Sequence, residues 1–117
     1  MAARILVVDD EEDVRGFLRA LLEDNGYEVE TAEDGNRAWE AIRAQRPSLI
    51  LLDLMMPEKT GTGLYRKLHD NKEMKNIPVI VISGLAGRSV AVSKTVPVFD
   101  KPIDEERLLL QIEQMIG

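Results

Sequence analysis

Ile5-Leu6-Val7-Val8-Asp9-Asp10-Glu11-Glu12-Asp13 is the stretch from which the rest of the chain can be read. Its first four residues are apolar and mostly β-branched, with no polar interruption, as in a strand covered on both faces. The run is too short for a membrane span or for the apolar part of a signal peptide. It then changes abruptly into an unbroken acidic run. A buried strand that delivers a block of carboxylates at its carboxyl end is the pattern that the other apolar runs can be compared with.

The same alternation continues to the end of the chain. Val14, Phe17, Leu18, Leu21 and Leu22 recur at helical spacing, and Gly26 stops that helix. Tyr27 to Ala32 alternates weakly and reads as an edge strand. Glu33-Asp34-Gly35 forms a turn, after which Asn36 is expected to cap a helix carrying Ala38, Trp39 and Ile42. Pro47 closes that helix and Leu49-Ile50-Leu51-Leu52 forms a second buried strand. A loop with Pro57, Gly61 and Gly63 leads to a helix bearing Leu64, Tyr65 and Leu68. Pro78 opens the strand Val79-Ile80-Val81-Ile82, and Val96 to Phe99 supplies a fifth strand. Asp104 caps a last helix with Leu108, Leu109, Ile112, Met115 and Ile116 on its apolar face. Between Gly84 and Thr95 the pattern calls for a fourth helix, yet two glycines and the alternation of Val90 and Val92 oppose it. A short or irregular helix is expected there.

Strands that alternate with helices imply parallel pairing, because a parallel crossover needs a helix. The expected fold is therefore α/β, a five-stranded parallel sheet, doubly wound. The 117 residues fit one domain, 1–117, with no internal repeat or linker. The chain has no cysteine, which excludes disulfides, thiolate metal sites and cysteine nucleophiles and fits a reducing compartment. A cytoplasmic location is expected. Net charge is −6, from 15 basic and 21 acidic residues. That balance disfavours direct binding of nucleic acid, and no membrane partner is expected; cations or basic protein surfaces suit it better.

In open parallel sheets, ligands bind beyond the carboxyl ends of the strands. Strand one ends in Asp9-Asp10, strand three in Asp53, strand four in Ser83, and strand five near Lys101-Pro102. Three carboxylates, a hydroxyl and an ammonium thus converge on one crevice. Crowded carboxylates repel one another unless a cation offsets them. An all-oxygen donor set suits a hard ion such as Mg²⁺, with Mn²⁺ as a substitute. A carboxylate beside such an ion can accept a phosphoryl group, since metal and lysine offset the developing charge.

Four pieces carry a family resemblance: Ile5-Leu6-Val7-Val8-Asp9-Asp10-Glu11, Leu51-Leu52-Asp53-Leu54-Met55-Met56-Pro57, Val81-Ile82-Ser83-Gly84 and Lys101-Pro102. In that order, each closing its own strand, they resemble the receiver domain of bacterial two-component response regulators, over essentially the full chain. The resemblance implies a flavodoxin-like, chemotaxis-type receiver fold. It implies that Asp53 is the phosphoacceptor, that Asp10, Asp53 and the backbone carbonyl of Met55 bind Mg²⁺, and that Asp9 helps indirectly. Ser83 and Lys101 would bind the phosphoryl group, and the Lys101–Pro102 bond would be cis. Gly61 matches the glycine that opens the third helix. The phosphoryl donor would be a sensor histidine kinase or a histidine phosphotransfer protein, and the output a switch in contacts with a downstream protein. Such a chain is a phosphoacceptor switch rather than an enzyme, with only self-catalysed phosphoryl uptake and autodephosphorylation.

Other readings compete. The acidic run could serve only the N-terminus of a helix. A phosphatase of the haloacid-dehalogenase type also phosphorylates an aspartate on a parallel sheet, but such enzymes place a second acid where Met55 stands, and methionine donates no proton. A pseudo-receiver scaffold is opposed by the intact acids and Lys101. Gly61-Thr62-Gly63 reads as a helix start, His69 as a solvated side chain, Met55 and Met56 as space fillers and Trp39 as packing. Two departures from the family pattern stand out. The stretch from Ser83 to Lys101 is shorter by roughly one helical turn, which bears on the surface used for output. Val98 occupies the place of a frequent aromatic, and Phe99, next to it, faces the other side of its strand. The apolar Met55 and Leu85, flanking the site, would hinder attack by water on the phosphoryl group.

Overall fold

The computed structural model describes residues 3–53, 60–83 and 96–116, with residues 60–62 and 83 described by backbone alone. The elements are β1 (Arg4–Val8), α1 (Glu12–Asp24), β2 (Glu28–Ala32), α2 (Gly35–Ala44), β3 (Leu49–Asp53), α3 (Thr60–Asp70), β4 (Val79–Ser83), β5 (Val98–Asp100) and α4 (Glu105–Ile116). The five strands form one parallel sheet in the order β2-β1-β3-β4-β5. The segment 84–95, where a short or irregular helix is expected, lies outside the described residues.

Residues of β1, β3 and β4 send side chains alternately to the two faces, and both faces are covered. On one face Ile5, Val7, Leu49, Leu51, Ile80, Ile82 and Phe99 pack with Leu18 and Leu22 of α1 and Leu108 and Ile112 of α4. On the other face Leu6, Val8, Ile50, Leu52, Val79 and Val81 pack with Ala38 and Ile42 of α2 and Leu64 and Leu68 of α3. This two-sided burial explains why three strands read as continuous apolar runs. β2, at the sheet edge, has a mostly half-buried pattern and so alternates only weakly.

Three local readings change. The cap of α2 is Asp34, not Asn36: its Oδ1 accepts the Arg37 amide at 2.8 Å, and Asn36 lies inside the helix. Phe17 belongs to the helical repeat of α1 but is 43% exposed, because Leu18 and Leu22 fill the seam against the sheet. The edge strand begins at Glu28 rather than Tyr27. Asp104 does cap α4, accepting the Arg107 amide at 3.2 Å.

Gly26 ends α1 with φ +89, the left-handed region. The Gly26 amide bonds the Glu23 carbonyl and the Tyr27 amide the Leu22 carbonyl, both at 3.1 Å, so the last carbonyls of the helix are satisfied. Nothing stands within 4 Å of a Cβ added at Gly26 or at Gly16, within α1. The two glycines therefore differ only in backbone demand. Gly26→Ala should destabilise by ~1–2 kcal/mol through its positive φ, whereas Gly16→Ala should stabilise by about 0.5–1 kcal/mol through helix propensity. Urea unfolding of the two variants checks the opposite signs.

Candidate functional site

The strand order reverses at β1, since β2 lies on one side of it and β3 on the other. The crevice beyond the carboxyl ends of β1 and β3 is where such sheets bind ligands. Val8 pairs in register with Leu52. Asp9 and Asp53, each next in sequence, thus leave neighbouring strands at the same height. Asp53 follows Leu49 and Leu51 at the two-residue period of a strand, so its side chain leaves on the α1/α4 face. Lys101 stands two residues beyond the buried Phe99, and its bond to Pro102 is cis.

These placements bring the groups together. Carboxylate oxygens of Asp9, Asp10 and Asp53 lie within 4.8 Å of one another. Asp9 and Asp53 are buried, at 1% and 2% exposure, and Asp10 is exposed. The Lys101 Nζ lies 3.2 Å from Asp9 Oδ2, 3.4 Å from Asp53 Oδ2 and 3.1 Å from Glu11 Oε1. Asp9 is fixed from two directions: its Oδ1 accepts the Glu11 amide at 2.9 Å, and Arg15 Nη1 donates to its carbonyl at 2.7 Å. Asp9 Oδ2, in ion-pair range of Lys101, is buried without an aligned hydrogen bond.

Electrostatics follow from this crowding. Burial pushes the Asp9 carboxyl above the usual carboxylate range; the Glu11 amide opposes that, the Asp53 charge adds to it, and Lys101 opposes it. Burial disfavours the Lys101 charge, but Glu11, Asp53 and Asp9 together raise its pKa above the usual lysine range. The ammonium is thus a fixed positive charge among carboxylates that exceed it in number. A buried carboxylate oxygen that faces a lysine ammonium without an aligned hydrogen bond, beside two further carboxylates, fits a hard divalent cation.

The acids 9–13 divide their labour. Glu12 and Asp13 sit in the first turn of α1, where the helix dipole favours negative charge. Asp9 and Asp10 belong to the crevice. The backbone of Ser83 ends β4 opposite Asp100. Met55, Leu85 and the Ser83 side chain lie outside what is described. Gly61 stands in the first turn of α3. Val98 is 37% exposed, and Phe99 is buried on the α1/α4 face with the Arg107 guanidinium 5.6 Å from its ring centroid. His69 is exposed and lies 3.4 Å from Asp70. Trp39 is half-buried against the α2/α3 side of the core, under the Lys67 ammonium at 5.5 Å. The contact between Glu11 and Lys101, ninety positions apart in sequence, was not foreseen. Its one signal is the third acid of Asp9-Asp10-Glu11, directly beside the strand end.

Comparison with known proteins matches this geometry. Residues 5–113 match the family described as response regulator receiver domain. The chain belongs to that family. Protein Rrf1 of Nitratidesulfovibrio vulgaris is 33% identical over 117 residues, covering 100% of this chain and 85% of that protein. The response regulator PleD of Caulobacter vibrioides is 40% identical over 119 residues, but the match covers 98% of this chain and only 26% of PleD. Among solved structures, the chemotaxis protein CheY4 of Vibrio cholerae superposes with a TM-score of 0.84 at 28% identity, covering 98% of this chain and 99% of that one. The five-stranded parallel sheet is the CheY-like, flavodoxin-like fold. Receiver domains serve two-component systems as phosphoacceptor switches, taking phosphoryl groups from histidine kinases and signalling to downstream effectors. Among the described residues, no helix is long and apolar enough to cross a membrane.

The Asp9 shift has a stability consequence. A carboxyl whose pKa rises on folding binds its proton more tightly in the folded state, so stability falls as pH climbs from the unfolded carboxylate range through the raised folded value. Above that window the ionised Asp9 is a standing cost that a bound cation offsets. Asp9→Asn keeps an acceptor for the Glu11 amide and removes the charge. Without divalent ions its Tm should exceed wild type by several degrees, roughly 4 °C per kcal/mol at this size. The gap should open as pH rises through the carboxylate range. Added Mg²⁺ should raise the wild-type Tm more than that of the variant. Thermal unfolding across pH, with and without Mg²⁺, measures both.

Proposed function

We propose that residues 1–117 work as one receiver domain that accepts a phosphoryl group on Asp53 with the help of Mg²⁺. The observation that carries this reading is the meeting of three carboxylates with one lysine, contributed by the ends of β1, β3 and β5. Asp10 and Asp53, with the backbone carbonyl of Met55, would hold Mg²⁺ or Mn²⁺, and Asp9 would act indirectly. When bound, the ion offsets negative charge on the transferring phosphoryl oxygens.

The chain's own groups do the rest. A carboxylate oxygen of Asp53, held at the strand end, attacks phosphorus as the donor P–N bond breaks. The electron pair leaves with the donor imidazole, which takes up a proton. Lys101, already 3.4 Å from Asp53, neutralises charge on the new acyl phosphate. Ser83, at the end of β4, bonds a phosphoryl oxygen and draws its loop inward. The Arg15 guanidinium, donating to the Asp9 carbonyl, keeps the acid-bearing turn fixed while this occurs. Autodephosphorylation returns the free carboxylate, and the apolar Met55 and Leu85 slow the approach of water.

The donor is a sensor histidine kinase or histidine phosphotransfer protein, and His69 is not that donor, because it stands on a helix of the α/β domain and not on the helical bundle such a histidine normally occupies. A downstream protein reads the phosphorylated form in the cytoplasm. With a net charge of −6, the domain does not itself bind nucleic acid. The aromatic swing of many relatives has no ring to use at Val98, so coupling runs without it.

Incubation with acetyl phosphate and Mg²⁺ should add the mass of one phosphoryl group, read on the intact protein. Asp53→Asn should abolish the gain, and chelation of divalent ions should suppress it. Uptake that survives in Asp53→Asn, or none in the wild type, contradicts the assignment.

A further inference from the structure

Lys101 has three carboxylate neighbours, and they are not equivalent. Asp9 and Asp53 have buried side chains, at 2% and 3% exposure, whereas the Glu11 side chain is 59% exposed. Glu11 nevertheless makes the shortest of the three approaches, 3.1 Å. The group of carboxylates close enough to share an ion comprises Asp9, Asp10 and Asp53 and omits Glu11. The charge of Glu11 therefore remains directed at the lysine. Its two ends have separate tasks: the backbone amide holds Asp9 Oδ1, and the carboxylate holds Lys101 Nζ.

An ammonium has three N–H donors, and here three carboxylates stand around it. A phosphoryl group on Asp53 brings about −1.5 to −2 charge and three strong acceptor oxygens. Asp53 gives up its own carboxylate charge in becoming the acyl phosphate, so Asp9 and Glu11 are the partners that compete with the phosphoryl oxygens for Lys101. Releasing Asp9 would leave a desolvated carboxylate dependent on the bound ion alone, which is costly. Releasing Glu11 returns a carboxylate to water, and solvent-exposed pairs are weak. Glu11 is the partner that gives way.

We propose that Glu11 is a positioning residue that holds Lys101 in the unphosphorylated domain and competes with the phosphoryl group for it, so that it sets how readily the site becomes charged. The inference rests on Asp53 being the phosphoacceptor. It assigns a brake to an acid outside the metal-binding set.

Beryllofluoride, a phosphoryl analogue, can be titrated in saturating Mg²⁺ and followed by backbone amide NMR. Glu11→Gln retains the amide that holds Asp9 and removes the competing charge. It should bind beryllofluoride roughly two- to fivefold more tightly than wild type, the range solvent-exposed ion pairs command. Glu12→Gln removes the same charge one residue along, where no contact with Lys101 exists among the described residues, and should stay close to wild type. The ¹⁵Nζ resonance of Lys101 should differ between wild type and Glu11→Gln in the free proteins and coincide in the beryllofluoride complexes. Unchanged or weaker binding by Glu11→Gln, or equal tightening by Glu12→Gln, overturns the proposal. Failure of the wild-type chain to bind at all would instead overturn the phosphoacceptor reading, and this inference with it.

Discussion

Mutual repulsion among Asp9, Asp10 and Asp53 is the constraint on which the rest of the molecule depends. Two of these carboxylates are buried, and their oxygens share a space only 4.8 Å across. Among the described residues one lysine stands against them, supported by an amide to Asp9. Among these residues one ammonium thus faces three carboxylates, and burial, with the Asp53 charge adding to it, raises the pKa of Asp9. An excess of buried negative charge is wasteful in a structure that does nothing with it. It suits the proposed site, which would attract a divalent cation and present a carboxylate to accept a phosphoryl group.

The hydrophobic sheet makes such a site affordable. β1 and β3 are almost entirely buried between two helical layers, and burial of apolar side chains is the largest favourable contribution to folding. Their register fixes Asp9 beside Asp53, so the acids cannot relax apart without shifting strands whose side chains interdigitate on both faces. Lys101 reaches the same point from the far side of β4, carried by Phe99 packing on the α1/α4 face. The geometry of the site is thus held by packing some distance from the carboxylates.

Much of this was legible in the sequence, for identifiable reasons. Ile5 to Val8, Leu49 to Leu52 and Val79 to Ile82 read as strands because double coverage removes polar residues from both faces. The acids and the lysine read as one site because a parallel sheet places all its carboxyl ends along one edge. What sequence reasoning missed depends on finer geometry. Asp34 rather than Asn36 caps α2 because the cap goes to the residue with extended backbone one step before the helix, here φ −155 and ψ 173. Phe17 fits the helical repeat but stands outside the narrow seam that Leu18 and Leu22 fill. Glu11 looked like helix-start acidity; its approach to Lys101 exists only once β1 and β5 are placed in the same sheet.

Paramagnetic broadening by Mn²⁺ at sub-stoichiometric concentration, followed residue by residue in amide NMR spectra, tests most directly whether acids from separate strands share one ion. The amides of Asp9, Asp10, Glu11 and Asp53 should broaden first and together. Broadening that begins instead at another acidic cluster, such as Glu105 and Glu106 at the start of α4, or that spares Asp53 while affecting Asp10, would contradict a shared ion.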